Sequence, residues 1–374
     1  MSLQDFLHPV STYTLSHDRG FLDGQIGCNI TVWDGPDPDL DEADVVLVGV
    51  GEERGAGRRE SDASAPDKIR EYFYASYYWH PEVRLADAGN VRRGATLADT
   101  YAALRQVLMD LTGAGKTVII LGGSHDLTLA QYQSYRERKK VIEATGVDAL
   151  IDLNTDSPLR QDQFLLSMLT EDPNFIRHYN HIGFQSYFVH PRMLETLDKL
   201  HFDCFRVGSV REQMEEMEPV LRYSDMVSID ICAMANGASP ASRVSPNGFN
   251  GEEMCQLTRY AGLSSRLSTL GIYGYKPSLD KDDLTARQIA QMLWYFLDGR
   301  QKSMQEAPLE ERDNFNVFHT VFGDMESTFL QSKRTGRWWM QLPDLSFIAC
   351  SHSDYVKASH NHIPERWFRA QERT

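Results

Sequence analysis

Short runs of β-branched residues alternate with longer stretches of helical period along most of this chain, and that alternation constrains the fold more than any other feature. Such a pattern belongs to a parallel sheet covered by helices on both faces. The first run is "DVVLVGV" at 44–50, followed by a loop rich in Gly, Glu and Arg and then "SAPDKIREYFYAS", where Pro66 suits the first turn of a helix. The spacing in "TLADTYAALRQVLMDLTGAG" predicts a helix over 97–112, stopped by Gly113 and Gly115 and leading into the strand "TVIILGG". Further strands are expected at "DALIDLN" (148–154), "HIGFQSY" (181–187), "MVSIDICA" (226–233) and "STLGIYGY" (268–275), with helices over 191–200, 251–262 and 285–299. The charged stretch 301–315 reads as an exposed connection. Beyond it the tryptophans of "GRWWMQLPD" and "IPERWF" read as packing residues in a tail too short to build its own core. The expected division is therefore one domain over 1–310, with 1–43 as an amino-terminal extension, and an extension over 311–374 packed on that domain.

Charge narrows the partners. With 38 Lys and Arg against 53 Asp and Glu, the net charge of −15 disfavours nucleic acid and anionic membrane and suits a small-molecule substrate. No apolar window is long enough to span a bilayer, and "MSLQDFLHPVSTYTLSHDRG" lacks the basic-then-apolar order of a signal peptide, so a cytoplasmic location is expected. Cys28, Cys204, Cys232, Cys255 and Cys350 are odd in number and never form a CxxC pair, which indicates reduced thiols.

Polar residues gather at three strand ends, where open parallel sheets place their binding groups. Ser124, His125 and Asp126 follow "TVIILGG"; Asp152, Asn154 and Asp156 follow "DALI"; Asp230 and Cys232 sit within "MVSIDICA". A carboxylate inside so apolar a strand is costly unless a cation or hydrogen bonds compensate it. His125 with Asp152, Asp156 and Asp230 makes a nitrogen-and-oxygen set suited to a divalent transition metal, with Mn(II) favoured by the majority of hard oxygen donors. Taken singly, "GGSH" and "DLNTD" are also ordinary caps and turns. Their recurrence at three strand ends is what points to a metal.

In order and spacing these segments resemble the ureohydrolase family of arginases, agmatinases and formimidoylglutamases. "LGGSH" is similar to the family's Gly-Gly-Asp-His turn, "IDLNTD" to its Asp-Ala-His-x-Asp strand end and "SIDICAMA" to its Ser-x-Asp-x-Asp-x-x-Asp segment. "VGVGEERGAGRRESDASAPDKIR", "LADAGN" and "GYKPSLDKDDLTARQIAQML" extend the resemblance over about 44–300, and "SKRTGRWWM" with "CSHSDYVKAS" looks most like the formimidoylglutamase branch. The resemblance implies a three-layer α/β/α fold around an eight-stranded, mostly parallel sheet, a homo-oligomer, and a two-manganese site whose hydroxide attacks a guanidino or formimino carbon. Carried over, the first metal falls on His125, Asp152, Asp156 and Asp230, with Asp230 the candidate base and Asp126 a candidate support for the imidazole. The second metal's own imidazole and carboxylate fall on Asn154 and Cys232, neither a good ligand for hard Mn(II). The substrate-holding Glu falls on Gly274 and the third Asp of the last segment on Ala235. No local pattern selects a proton shuttle among His178, His181 and His190. The expectation is a hydrolase of linear amidine C–N bonds with one metal per chain; the competing expectation is an inactive family member serving as a subunit or small-molecule binder.

Overall fold

The computed structural model describes residues 3–33, 40–58, 64–323 and 325–372; part of the expected amino-terminal extension lies outside these. Strands β1 (Leu7–His8), β2 (Thr31–Val32), β3 (Val45–Val50), β4 (Leu85–Val91), β5 (Thr117–Gly122), β6 (Ile142–Val147), β7 (Ile176–Phe184), β8 (Asp203–Arg206), β9 (Met226–Asp230) and β10 (Thr269–Tyr273) form one sheet in the order β1-β4-β3-β5-β10-β9-β6-β7-β8, with β2 also on β4. From β4 to β8 every pairing is parallel, which gives the expected eight-stranded parallel core; only β1 runs antiparallel, at the edge.

The layers follow from strands buried on both faces. All six residues of β3 and of β5 are buried, the signature of parallel strands under helices. Val45, Leu47, Ile119 and Leu121 pack with the helices Ala65–Tyr74, Gly251–Gly262 and Leu284–Met304. The alternate residues Val46, Val48, Val118 and Ile120 pack with the helices Leu97–Gly113 and Leu127–Glu137. Helix 97–113 is set by a capping box of Thr96 and Asp99 and ends before Gly115, whose φ of +78° is free only for glycine.

Two stretches differ from the sequence expectation. "LADAGN", not among the strands expected from sequence, forms the body of β4, and Asp87 within it is paired with the fully buried Arg70, Nε to Oδ2 2.6 Å. The strand expected at 148–154 lies six residues earlier, in β6. Gly146 interrupts the apolar run there because a Cβ would lie 2.4 Å from Tyr179 Oη on the neighbouring strand, and Glu143 lies within hydrogen-bonding distance of Arg177. The chain therefore leaves the sheet at Val147, and Asp148 opens the loop.

The tail adds a second, antiparallel sheet of β11 (Phe315–Phe322), β12 (Met325–Ser332), β13 (Trp338–Gln341) and β14 (Phe347–Cys350), in that order, backed by the helices His352–Ser359 and Glu365–Glu372. Trp338, Trp339 and Trp367 are buried. Arg222 fastens the sheet to the main layers by donating to Trp338 O at 2.6 Å and lying over the Trp339 ring at 4.5 Å. No described helix is long and apolar enough to cross a membrane.

Candidate metal centre

Four adjacent strands, β5, β10, β9 and β6, deliver the site at their carboxyl ends. His125 follows β5, Asp148 and Asp152 follow β6, and Asp230 closes β9. The His125 Nδ1 lies 2.9 Å from Asp148 Oδ2, 3.2 Å from Asp152 Oδ2 and 3.7 Å from Asp230 Oδ2. Ligand-capable atoms of His125, Asp148 and Asp230 all lie within 4.8 Å of one another. On its other edge the imidazole meets Ser228 Oγ at 2.9 Å, itself 2.6 Å from Thr128 Oγ1, and the Phe164 ring packs edge-on at 4.6 Å.

Three carboxylates in one buried pocket repel each other. Burial and the Asp148 charge hold the Asp152 carboxyl well above the ordinary range, and burial raises Asp230 likewise. Burial alone would lower the His125 imidazole, but Asp148, Asp152 and Asp230 reverse this and raise it. Among the described residues no Lys or Arg lies within 4 Å of these carboxylates. Nδ1 is buried and, close as it is to three oxygens, is aligned for a hydrogen bond with none. Buried, unbalanced negative charge around an imidazole nitrogen that lacks an aligned partner fits a divalent cation.

The structure brings together His125, Asp152 and Asp230 of the residues singled out in the sequence, and adds Asp148, which sequence reasoning missed. Asp156 and Asn154 lie exposed on the following loop, with the Asp156 N–H donating to Asn154 Oδ1 at 3.1 Å. The signal was present: Asp148-Ala149-Leu150-Ile151-Asp152 fits Asp-Ala-His-x-Asp four residues ahead of the alignment first drawn, with both acids and the alanine in place. In this register the His of the family pattern falls on Leu150, and Asn154 lies beyond the pattern on the loop.

Cys232, two residues beyond Asp230, lies beside Asp148. Its thiol donates to Asp148 Oδ1 at 2.7 Å, and burial with the charges of Asp148 and Asp230 raises its pKa well above the ordinary value. Gly274, where the family pattern has Glu, has φ +83°, and a Cβ there would lie 2.6 Å from Asp230 Oδ1. Ser228, not Asp126, holds the imidazole; Asp126 is buried beneath and accepts from Tyr101 Oη. Each midchain histidine is committed to structure. His178 meets Asp203 at 3.2 Å, burial depresses His181 to about 4, and His190 caps the helix Pro191–Lys199.

Comparison with known proteins identifies a family and several relatives. The model of the arginase family matches residues 43–298. A formimidoylglutamase of Vibrio cholerae is 25% identical over 296 residues, covering 71% of this chain and 86% of that protein. A formimidoylglutamase of Cupriavidus pinatubonensis is 25% identical over 282 residues, covering 67% and 86%. Among solved structures, formimidoylglutamase of Bacillus subtilis superposes with a TM-score of 0.65 at 19% identity, covering 74% of this chain and 92% of the other. Trypanosoma cruzi formiminoglutamase with Mn2+ superposes at 0.64 and 15% identity, covering 71% and 96%.

Proposed function

The chain belongs to the arginase family, and on that premise we propose that it is a formimidoylglutamase-like hydrolase of a linear amidine C–N bond that works with one divalent metal per chain. The observation that carries this reading is the convergence of Asp148, Asp152 and Asp230 on His125 Nδ1 with, among the described residues, no Lys or Arg within 4 Å of those carboxylates.

His125, Asp148, Asp152 and Asp230 would hold the ion, and the oxygen-rich set favours Mn(II), the metal in the Trypanosoma cruzi relative. When bound, such an ion lowers the pKa of water and polarises the amidine carbon. His125 offers Nδ1 because Nε2–H is directed to Ser228. Asp230 is the most exposed of the four, 15% at the side chain against 3%, 6% and 9% for Asp148, His125 and Asp152. Solvent and substrate enter from its side, where it serves as the base that accepts a proton from attacking water. Phe164, itself buried, packs edge-on against the His125 ring. Leu150 and the Cys232 thiol leave the second-metal side without two of its ligands, which supports one ion over two. The same reading takes the protein as a homo-oligomer with a small-molecule substrate, in a cytoplasm whose reducing state suits its five unpaired cysteines.

The test is elemental analysis of the full chain purified without added metal, followed by ammonia release across arginine, agmatine, guanidine, guanidinobutyrate and formiminoglutamate, with Asp230→Ala as control. One transition metal per chain with release from a formimino or guanidino substrate is expected. Two metals per chain would overturn the one-ion assignment, and metal-loaded protein silent across the panel would mark an inactive family member.

A further inference from the structure

The carboxy-terminal sheet lies beyond the family match, and its two edges differ in character. Strand β14 is four residues long, and its outward Phe347 carbonyl accepts from Tyr223 Oη at 3.4 Å. Strand β11, "FNVFHTVF", is eight residues long and contains no Lys, Arg, Asp, Glu, Gly or Pro. Lys333 N–H donates to Asn314 O at 2.9 Å, so Asn314 and then Asn316, Phe318, Thr320 and Phe322 direct their backbone groups to β12. Those of Val317, His319 and Val321 point the other way. The outward N–H of Gly323 is met by Asn361 Oδ1 at 2.7 Å. Among the described residues no hydrogen bond reaches the backbone of Val317, His319 or Val321 from that open side. Edge strands are normally blunted by Lys, Pro, a bulge or a covering segment; β11 has none of these.

We propose that β11 is a docking edge for a second copy of this chain, pairing antiparallel with its own counterpart about a two-fold axis at His319 and joining two four-stranded sheets into one of eight strands. A register centred on a residue, not between two, places the outward N–H and C=O groups of the two strands opposite each other, and His319 is the middle one of the three open residues Val317, His319 and Val321. Centred on His319, it sets Val317 of each copy beside Val321 of the other and makes roughly six interchain hydrogen bonds. Val317 and Val321 are 46% and 59% exposed in the single chain and would shield each other on the outer face. The inner faces, bearing Phe318 and Phe322 under the carboxy-terminal helices, then lie on one side of the joined sheet. Charge selects the same strand: copies of a chain with net charge −15 repel broadly, and β11 brings no acidic side chain opposite another. The assignment is independent of the hydrolase reading.

Sedimentation equilibrium of the full chain tests it. His319→Pro removes an outward N–H while leaving the β11–β12 ladder intact; it should halve the mass of the assembly with melting temperature unchanged. Should that variant melt earlier, Val317→Lys with Val321→Lys on the solvent face replaces it, and the same twofold fall is required. In a Cys28→Ser background, His319→Cys should give a covalent dimer on mild oxidation, whereas Val317→Cys should cross-link only together with Val321→Cys. A wild-type mass of one chain, a mass unmoved by these variants, or Val317→Cys cross-linking alone as readily as His319→Cys would overturn the proposal.

Discussion

Asp148 shows what a single residue does to the reading of the site. In sequence it looks like the beginning of an apolar strand; in the fold it is the first residue beyond the strand, with one oxygen 2.9 Å from His125 Nδ1 and the other accepting the Cys232 thiol. The four-residue shift it imposes has a direct test. Leu150→His together with Cys232→Asp should move the metal content from near one toward two per chain, whereas Asn154→His should leave it unchanged. Asp152→Asn should abolish the stabilisation that metal confers, about 2.7 kcal/mol at a hundredfold excess over the dissociation constant. Metal-free Asp152→Asn should melt no lower than metal-free wild type, because burial and the Asp148 charge already disfavour the ionised carboxylate. Thermal melts with and without chelator check both statements. His125, Asp152 and Asp230 were legible because their chemistry is costly in apolar surroundings. Asp148 was hidden because acids are equally common at loop starts, and only its convergence with the others distinguishes it.

At the level of elements, strands that are apolar throughout were read correctly, while β6 was displaced because its glycine serves its neighbour. Gly146→Ala should destabilise the fold by about 1–3 kcal/mol through overpacking against Tyr179. Tyr179→Phe should recover much of that loss, as chemical denaturation of the double variant would show. Glu306, just beyond the helix Leu284–Met304, performs a comparable service for the tail: Ser332 and Arg337 donate to it at 2.6 and 3.0 Å. Burial raises its carboxyl, but these donors and the Arg337 charge outweigh burial and hold it below the ordinary glutamate value of 4.5. A depressed carboxylate contributes stability in full above its unfolded pKa and loses it as pH falls through the folded one. Glu306→Gln should therefore cost roughly 1–3 kcal/mol near neutrality and flatten the acid limb of the stability profile below pH 4.5, read from denaturation midpoints against pH.

For the molecule as a whole, the parallel core and its covering helices follow from an alternation visible in the chain. The four-stranded tail sheet did not, because its strands are amphipathic, with polar residues interrupting each apolar run, and its tryptophans suit helix or strand equally. We propose that residues 311–374 are an extension that folds cooperatively with the main layers, so the full chain should unfold in one transition. Trp339→Ala should cost about 3–5 kcal/mol, because it removes the ring over which Arg222 lies. The strand order carries a consequence for biosynthesis. Strand β10, the last of the main sheet in sequence, is inserted between β5 and β9, so the strand that brings His125 and Asp230 side by side is also the latest to be made. A nascent chain carries all four proposed ligand side chains from residue 230 onward, yet His125 and Asp230 gain the strand between them only when translation reaches residue 273. A cation taken by the proposed site would therefore be bound only after the ribosome has finished the sheet, and its uptake would report a completed core.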